Sequence, residues 1–319
     1  MPTRPKILLT NAMHPEIQRE LAMDHDIVVA PDTQFATLNR LIEDVDGLIV
    51  RSQLPPDIFE HATRLRAVVR HGVGLDMIPV AQATIKKIPV ANLPGSNSAS
   101  VAEFCLAAML HFRRRLSSID QTLRSGGWAK ARPMADTSAE LTQSVCGIVG
   151  VGAIGSYIAN ITHALGMQVL GLTRSPNKLP AHVQAVTKAE LFQSADVIVL
   201  SCPLNDQTRG LVDQAAIALM KPNAILINVA RGPVVDTTAL ISALKAGRIA
   251  GAALDVHDQQ PLNGKEPSFD CPNLLLTPHV AAITDSSMRA MSRGSADTLR
   301  AILRGERPAN ICNSEIFSL

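Results

Sequence analysis

The sequence predicts an α/β protein built from two doubly wound parallel-sheet domains. Short apolar runs alternate with helical patterns in two successive series, as expected for parallel sheets covered by helices. A glycine-rich turn joins a strand to a helix where the second series begins. The chain has 319 residues, of which 46% are hydrophobic, so it is long enough to form two cores. We therefore expect two domains with a cleft between them.

The first series of apolar runs predicts the strands of one domain. These runs lie at 7–9, 27–30, 48–50, 67–69 and 90–91. After Pro94 and Gly95, the pair Ser100 and Glu103 has the spacing of a capping box, which predicts the start of a helix that leaves this domain. A last helical pattern ends at Gly305 and is expected to return the chain to the first domain.

The second series predicts another parallel sheet. Its runs lie at 145–149, 169–172, 197–200, 225–229, 252–254 and 274–276. The segment 125–133, which contains the pair Gly126 and Gly127 and ends at a proline, predicts a long loop or a protruding arm. The second domain is thus expected to carry one irregular extension beside its sheet.

Bulk composition excludes several classes of protein. The 30 basic and 28 acidic residues give a formal net charge of +2, so neither nucleic acid nor an anionic membrane surface is indicated as a partner. The five cysteines are scattered and form no CxxC pair, so neither a disulfide framework nor a metal site is expected. No apolar run approaches the roughly 18 residues of a membrane span. The composition predicts a soluble, cytoplasmic protein without a metal.

The first strand of the second series ends in GVGAIG, a match to GxGxxG. A helix and a further strand follow within about thirty residues, as a dinucleotide-binding Rossmann unit requires. Gly150 permits the tight turn, and Gly155 allows the helix to pack closely on the strand. Gly152, with Ala153 and Ile154, brings backbone amides to a pyrophosphate. An ordinary glycine turn is the alternative, but the surrounding pattern favours a nicotinamide cofactor site.

The residues after the next strand indicate which nicotinamide cofactor is bound. A site that prefers NAD carries Asp or Glu at this position, where the carboxylate binds the ribose hydroxyls. This chain has Thr173, Arg174 and Ser175 there. Arg174 can bind a 2′-phosphate through charge-assisted hydrogen bonds, helped by Ser175 and Lys178. We predict a preference for NADP; NAD is the alternative if Arg174 is only a solvated loop residue.

Ligands of open α/β sheets bind beyond the carboxyl ends of the strands. Pro203, Arg231, Asp255 and His279 occupy such positions in the second series. The Arg231 guanidinium offers a planar fork to a carboxylate or carbonyl oxygen, and His279 offers a proton near neutral pH. Either residue alone could be structural, and a lone His at a strand end is more often a surface residue or one with its hydrogen bonds satisfied. Beside a nucleotide site, the pair suits reduction of a 2-keto acid.

Six ordered segments give the chain a resemblance to a known family: GVGAIG, PLNDQTRGL, NVARGPVVD, GAALDV, TPH and ERPAN. The chain resembles the D-isomer-specific 2-hydroxyacid dehydrogenases over its whole length, most closely the glyoxylate and hydroxypyruvate reductases. The resemblance implies a discontinuous, flavodoxin-like substrate domain, residues 1–98 with 286–319, and a Rossmann nucleotide-binding domain, residues 99–285. It also implies an active site in the cleft and a homodimer joined through the nucleotide-binding domains.

The resemblance also assigns roles to residues of the second domain. His279 is similar to the family's acid/base and Arg231 to its substrate-orienting arginine, and both also lie beside the cofactor. Asp255 is similar to the residue near the nicotinamide carboxamide. Three further residues are expected to contact the cofactor, namely Pro203, Thr208 and Val229.

The first domain is expected to bind the substrate carboxylate. By resemblance, backbone amides in the segment His71, Gly72, Val73 and Gly74 would contact it, as a glycine-flanked loop after a strand allows. A plain turn is the alternative for this loop. Two side chains are further candidates for the substrate site, Arg51 and Asn97.

One position departs from the family. Where the resemblance implies a Glu that pairs with the catalytic His, this chain has Gln260. A carboxylate would favour the imidazolium form, whereas an amide orients His279 without stabilising its charge. Reduction is therefore expected to weaken at a lower pH than in relatives with Glu. Asp258 turning inward to replace the missing carboxylate is the alternative.

The sequence thus predicts an NADP-preferring oxidoreductase that transfers a hydride between its cofactor and a small 2-keto or 2-hydroxy acid. The Gln260 position leaves open a reaction like that of formate dehydrogenases, in which hydride transfer needs no proton transfer. A nucleotide-sensing protein that uses the same fold without catalysis is the other alternative.

Overall fold

The computed structural model describes residues 4–317 and shows two compact units. The terminal unit comprises both ends of the chain, up to Asn97 and from Ile283 onward. The central unit comprises Ser98–Ala282. Each unit contains one parallel sheet, which confirms the predicted fold class.

The terminal unit contains a five-stranded parallel sheet in the order β2-β1-β3-β4-β5. Its strands are β1 (Lys6–Leu9), β2 (Asp26–Val29), β3 (Gly47–Val50), β4 (Ala67–Arg70) and β5 (Val90–Ala91). Its helices are α1 (Pro15–Leu21), α2 (Phe35–Leu41), α3 (Ile58–His61), α4 (Val80–Ile85) and α12 (Asp285–Leu303). This strand order is that of flavodoxin-like sheets, in which helices cover both faces.

The last helix, α12, belongs to the core of the terminal unit. Leu299 and Ala296 are fully buried in an apolar cluster with Ile7 and Ile49. Gly47 allows this close packing, because a Cβ there would lie 2.9 Å from Leu299 Cδ1 and equally close to Ile7 Cδ1. The carboxyl-terminal helix is therefore an integral part of the first sheet's core.

The central unit contains a seven-stranded parallel sheet in the order β12-β11-β10-β9-β6-β7-β8. Its strands are β6 (Val145–Val149), β7 (Gln168–Leu172), β8 (Val183–Ala185), β9 (Val197–Leu200), β10 (Ile225–Asn228), β11 (Gly251–Leu254) and β12 (Leu274–Leu276). Its helices are α5 (Ser98–Arg114), α6 (Leu116–Gly126), α7 (Trp128–Ala131), α8 (Ala153–Ala164), α9 (Lys188–Ser194), α10 (Gln214–Leu219) and α11 (Thr237–Lys245). The strand order reverses between β6 and β9, which is where such sheets bind their ligands.

One prediction about the central unit was wrong, and the loop predicted as one of two alternatives for 125–133 is not observed. Helix α5 begins at Ser98, so Ser100 lies within the helix and is not its cap. The segment 125–133 is helical, with a break at Gly127, and a 3-10 turn at Arg132–Thr137 follows. Only Gly127, with φ +77°, has a left-handed conformation, whereas Gly126 stays in α6. A pair of glycines therefore breaks this helix at one residue without creating a loop.

One strand, β8, was not predicted from the sequence. It is three residues long and two of them are exposed, so it lacks the buried apolar run that marks the other strands. None of the helices within residues 4–317 is long and apolar enough to cross a membrane.

Candidate active site

The glycine-rich turn between β6 and α8 has the shape that pyrophosphate binding requires. Gly150 has φ +91°, and a Cβ there would lie 2.6 Å from Cys202 Cα. A Cβ at Gly155 would lie 2.3 Å from Gly150 O, so only glycine allows α8 to approach the strand. A Cβ at Gly152 would meet no atom within 4 Å. The start of α8 is therefore open to a ligand, and its amide groups and dipole favour an anion there.

A cavity of about 440 Å³ lies at the carboxyl ends of β6, β7 and β9 in the central unit. It brings together seven of the residues predicted to bind the cofactor: Gly150, Gly152, Thr173, Arg174, Ser175, Pro203 and Thr208. Sequence reasoning missed Asn205 and Gln207 in the loop after β9, although their place in PLNDQTRGL was a usable signal. The Thr208 hydroxyl donates to Pro203 O at 2.7 Å and accepts from Asn205 N at 2.8 Å, which shapes that loop.

The charge of this cavity is positive at the end of β7. Arg174 and Lys178 line it, and both are exposed to solvent. Within the described part of the chain, the lining contains no Asp or Glu. The Ser175 amide donates to Thr173 Oγ1 at 3.2 Å, which turns the chain around the rim. A phosphate group at this rim would meet two cations and no opposing carboxylate.

The other residues predicted to contact the cofactor lie outside the lining of this cavity. Ala153 is exposed at the first position of α8. Ile154 and Val229 are half-buried and pack against the apolar cluster on one face of the sheet. Arg231, Asp255 and His279 follow strands further along the same sheet.

His279 follows β12 and has an unusual backbone conformation. Its φ is +58°, a left-handed value that few non-glycine residues adopt. Gln260 Oε1 lies 2.9 Å from its Nδ1, and the His279 amide donates to Asp255 O at 2.8 Å. Such conformations persist where surrounding contacts enforce them, often at functional sites. The predicted partner, Gln260, is thus in contact with the imidazole ring.

Asp255 holds the segment that carries His279. The side chain is 1% exposed. Its Oδ1 accepts from the Thr277 hydroxyl at 2.7 Å and from the Val280 amide at 2.8 Å, while Oδ2 accepts from the Ala281 amide at 2.9 Å. Three donors on both sides of His279 therefore converge on one buried carboxylate. This positioning contact was not anticipated, because the donors are mostly backbone groups.

Asp258 is engaged elsewhere, because its Oδ2 accepts from the Thr237 hydroxyl at 3.0 Å. In the structure, the Gln260 amide is the partner of His279 Nδ1. The alternative, in which Asp258 takes that place, is not observed. A neutral group therefore orients the imidazole.

Arg231 follows β10 on a loop held by Asn228. The Asn228 side chain is 1% exposed, its Oδ1 accepts from the Ala230 amide at 3.0 Å, and its Nδ2 donates to Arg231 O at 3.0 Å. Arg231 Nη1 donates to Ala230 O at 2.6 Å. Gly232 is required next, since a Cβ there would lie 2.1 Å from His257 C. Sequence reasoning missed Asn228, which positions the guanidinium through the backbone.

In the terminal unit, the loop after β4 is held by Arg70. The guanidinium donates to Val50 O at 2.8 Å, to His71 O at 2.9 Å and to Gly74 O at 3.0 Å. The amide of His71 donates to Val50 O and that of Gly72, which has φ +141°, donates to Arg70 O. Of the four amides predicted to meet a carboxylate, two are therefore used by the fold.

The amides of Val73 and Gly74 are the two that bond to no acceptor within residues 4–317. The loop is also fixed from its other side, because Asn92 Nδ2 donates to Val73 O at 2.7 Å. Arg70 and Asn92 were both missed, since each acts on backbone carbonyls, which leave no pattern of residue types in the sequence.

The two side chains predicted for the substrate site lie in the same unit. Arg51 Nη1 donates to Ala12 O, and Arg51 Nη2 lies 3.7 Å from Met288 Sδ. Burial lowers the pKa of the Arg51 guanidinium. Asn97 is half-buried at the end of the unit, directly before α5.

Metal chemistry has no candidate site among the described residues. No group of three or more His, Cys, Asp and Glu side chains within residues 4–317 is arranged to hold a metal ion. Cys105, Cys146, Cys202, Cys271 and Cys312 are all free thiols. The cofactor cavity and the strand-end residues of the central unit thus carry the candidate chemistry.

A Rossmann sheet with a glycine-rich turn, a cation-lined cavity and a strand-end His define a nicotinamide-dependent oxidoreductase. Residues 106–281 match the family described as D-isomer specific 2-hydroxyacid dehydrogenase, NAD binding domain. The chain is 35% identical to the glyoxylate reductase of Aeropyrum pernix over 330 aligned residues, which cover 99% of this chain and 98% of that protein. The chain belongs to the D-isomer specific 2-hydroxyacid dehydrogenase family, as predicted, and is an NAD(P)-dependent enzyme of that family.

Two solved structures extend this finding. The NADPH-dependent glyoxylate/hydroxypyruvate reductase of Sinorhizobium meliloti, in complex with NADP and malonate, superposes with a TM-score of 0.86 at 28% identity, covering 98% of both chains. An acyclic imino acid reductase in complex with NADPH and D-Arg superposes with a TM-score of 0.87 at 27% identity, covering 96% of this chain and 99% of that one. The family and its relatives indicate reduction of 2-keto acids by hydride transfer.

Proposed function

We propose that this enzyme is an NADPH-dependent reductase of a small 2-keto acid of the glyoxylate or hydroxypyruvate type. The observation that carries the cofactor preference is the cavity rim at the end of β7, where Arg174 and Lys178 face no Asp or Glu among the lining residues that the structure describes. A 2′-phosphate there would form charge-assisted hydrogen bonds, and no acidic side chain would compete for the ribose. The glyoxylate reductase of Aeropyrum pernix and the NADPH-dependent reductase of Sinorhizobium meliloti support the substrate class.

The residues of the central unit fit such a cofactor. The turn from Gly150 to Gly155 and the start of α8 would hold the pyrophosphate, because Gly152 leaves the space above the amides open. Arg174, Ser175 and Lys178 would bind the 2′-phosphate. NADPH, when bound, supplies the hydride. Two other side chains of the same unit, Arg231 and His279, would bind and protonate the keto group.

Arg231 would bind the carbonyl and carboxylate oxygens through its planar fork, and its loop is fixed by Asn228. As hydride adds to C2 and the C=O π electrons move to oxygen, a proton must reach that oxygen. His279 Nε2 would donate it, since Nδ1 faces the Gln260 carbonyl oxygen. The Asp255 contacts keep the His279 segment in place during this transfer. In the terminal unit, the amides of Val73 and Gly74 would bind the substrate carboxylate.

The experiment that tests this function is an oxidation assay with both reduced cofactors and a panel of keto acids: glyoxylate, hydroxypyruvate, phenylpyruvate and pyruvate. We expect turnover, with a higher kcat/KM for NADPH than for NADH. A higher kcat/KM for NADH would reject the cofactor preference. Binding of NADPH without turnover of any keto acid would instead favour a nucleotide-sensing role.

A second candidate is hydride transfer that needs no proton from His279. The neutral Gln260 partner favours it, because an amide does not stabilise the imidazolium that donates a proton. Formate oxidation is one such reaction. Reduction of an iminium is another: hydride adds to carbon, the C=N π electrons neutralise nitrogen, and no proton is transferred. The imino acid reductase of similar fold supports testing keto acids with ammonium present. Faster NADPH oxidation with ammonium than without it would favour this candidate.

We also propose that the enzyme is a homodimer formed through its central units. Helix α6 has no buried residue among its eleven, although Leu116 and Leu123 are apolar. Trp128, at the start of α7, is 72% exposed, and Leu116 is 63% exposed. Contiguous exposed apolar side chains are typical of protein interfaces. The dimer implied by the family resemblance would cover this α6–α7 surface.

A further inference from the structure

A buried pair of side chains connects the loop after β4 to helix α12 in the terminal unit. His71 Nε2 lies 2.9 Å from Ser292 Oγ. Ser292 is fully buried on α12, and its Oγ also accepts the His14 amide at 3.0 Å. The Ser292 hydroxyl can donate its own hydrogen to the imidazole in the tautomer of the neutral ring whose proton is on Nδ1. Three separate segments of the chain therefore meet at one hydroxyl group.

The His71 ring is suited to accept this hydrogen bond. It is 3% exposed. Burial, reinforced by the positive charges of Arg51 and Arg70, lowers the pKa of His71 to about 3. The imidazole is therefore neutral at every pH at which the enzyme is expected to work, and a neutral ring has one acceptor nitrogen.

The backbone of His71 is fixed as firmly as its ring. Its amide donates to Val50 O at 3.0 Å, and its carbonyl accepts from Arg70 Nη1 at 2.9 Å. Two and three residues further on lie the amides of Val73 and Gly74, which have no acceptor within residues 4–317. His71 therefore anchors the start of the loop that carries these two amides.

We propose that Ser292 and His71 are positioning residues for the substrate carboxylate, acting through the amides of Val73 and Gly74. This inference rests on the proposed function, in which those amides bind the carboxylate. Neither side chain touches the substrate. The Ser292 hydroxyl fixes the position of the His71 imidazole. His71 in turn fixes the start of the loop after β4, so that the amides of Val73 and Gly74 keep one orientation. Binding sites lose affinity when such supporting contacts are left loose.

The first test is Ser292→Ala, which removes the hydroxyl and so takes a partner from both His71 Nε2 and the His14 amide. We expect KM for the keto acid to rise about three- to tenfold, the usual effect of one lost buried hydrogen bond, because only the contact with His71 leads to the loop after β4. We expect kcat and the Kd for NADPH to change less than about twofold, since Ser292 lies in the terminal unit and the cofactor cavity in the central unit.

Ser295→Ala is the matched control. Ser295 lies one turn further along α12 and is also fully buried, but its Oγ has no hydrogen-bond partner among the described residues. Both substitutions remove one buried hydroxyl from the same helix. Only Ser292→Ala should raise KM, and an equal rise in the two variants would show a general packing effect and overturn the proposal.

Two variants of His71 examine the other end of the contact. His71→Leu removes the acceptor at similar volume and should raise KM as Ser292→Ala does. His71→Gln places an amide oxygen near the position of Nε2 and should restore much of the lost affinity. A loss of kcat or of Tm in both variants, with KM unchanged, would show that the pair only stabilises the fold.

A binding experiment separates failure of this inference from failure of the proposed function. Oxamate, a non-reacting analogue of a 2-keto acid, is titrated calorimetrically into the enzyme with NADP. We expect a weaker Kd for Ser292→Ala than for wild type and Ser295→Ala. This result without keto acid turnover would reject the function and keep the inference. Keto acid turnover with an equal oxamate Kd in all three proteins would reject the inference alone, and absence of both turnover and oxamate binding would reject both.

Discussion

Gln260 Oε1 lies 2.9 Å from His279 Nδ1, so the candidate acid of this enzyme is oriented by a neutral amide. A carboxylate at this position would both orient the ring and stabilise the imidazolium. The amide does only the first. The left-handed backbone of His279, with φ +58°, and the Asp255 contacts show that orientation is firmly supported by the rest of the segment.

Gln260→Glu should therefore move the upper pH limit of keto acid reduction upward. The proton-donating form of His279 is the imidazolium, and a neighbouring carboxylate keeps the ring protonated to a higher pH. A shift of about one pH unit is expected for one close opposite charge. The measurement is kcat as a function of pH. Gln259→Glu, at an exposed neighbouring position, is the control. An unchanged profile in Gln260→Glu would contradict the assigned pairing.

Substitutions of Gly150 and Gly152 should separate folding from cofactor binding. In Gly150→Ala the new Cβ would lie 2.6 Å from Cys202 Cα, at φ +91°, so we expect a lower Tm as well as weaker NADPH binding. In Gly152→Ala the Cβ meets no protein atom within 4 Å, so Tm should be unchanged while NADPH binding weakens. Thermal unfolding and a cofactor titration check both variants. Normal NADPH affinity in Gly152→Ala would place the pyrophosphate elsewhere.

The strands and the residues that follow them could be predicted because both depend on local sequence. Parallel strands buried on both faces consist of apolar runs, so β6 and β9 could be located to the residue. The half-buried edge strand β12 could also be located, because its three residues are all Leu. The carboxyl ends of such strands share one edge of the sheet. Arg174 and Pro203 could for that reason be assigned to one cofactor site from the sequence, and both line the same cavity.

The supporting contacts could not be predicted because they act through backbone atoms, either within one loop or between distant segments. Asn228 acts on Arg231 through a carbonyl, and Asp255 accepts amides from residues more than twenty positions away. Neither contact leaves a pattern of residue types in the sequence. The helix break at Gly127 was missed for a related reason, since the conformation of each glycine depends on how the helices around it pack.

Trp128→Glu should weaken self-association of the enzyme. Trp128 is 72% exposed at the start of α7, directly after α6 in the chain, so a charge there would be buried without a partner if a dimer covers this surface. Light scattering during size exclusion should show a dimer for wild type and a monomer for the variant at low protein concentration. Tyr157→Glu, which changes an exposed aromatic residue on α8, is the control. A monomeric wild-type enzyme would reject the proposed dimer.

The ion pair of Asp24 with Arg300 should make stability depend on pH at the acid end. The hydrogen bond from Arg300, together with His25, lowers the pKa of Asp24 from 3.8 to about 2. The ion pair therefore stabilises the fold above pH 3.8, and this stabilisation is lost as the pH falls toward 2. The Asp24 side chain is 51% exposed, so solvent screening limits the effect to about 0.5–1 kcal/mol. Urea unfolding should show a lower free energy of unfolding for Asp24→Asn than for wild type at neutral pH, and no difference near pH 2. Asp270→Asn, which changes an exposed aspartate, is the control and should unfold as wild type does at both pH values.

Arg174→Ala should lower kcat/KM for NADPH about ten- to a hundredfold and leave that for NADH unchanged. The guanidinium lines the cofactor cavity at the end of β7, where a charge-assisted hydrogen bond to phosphate contributes about 1.5–3 kcal/mol. NADH has no 2′-phosphate, so its kcat/KM should not depend on this guanidinium. Arg209→Ala removes an exposed arginine outside the cavity lining and serves as the control. The measurement is steady-state kinetics with both cofactors. An equal loss of kcat/KM for NADH and NADPH would mean that Arg174 does not bind the 2′-phosphate.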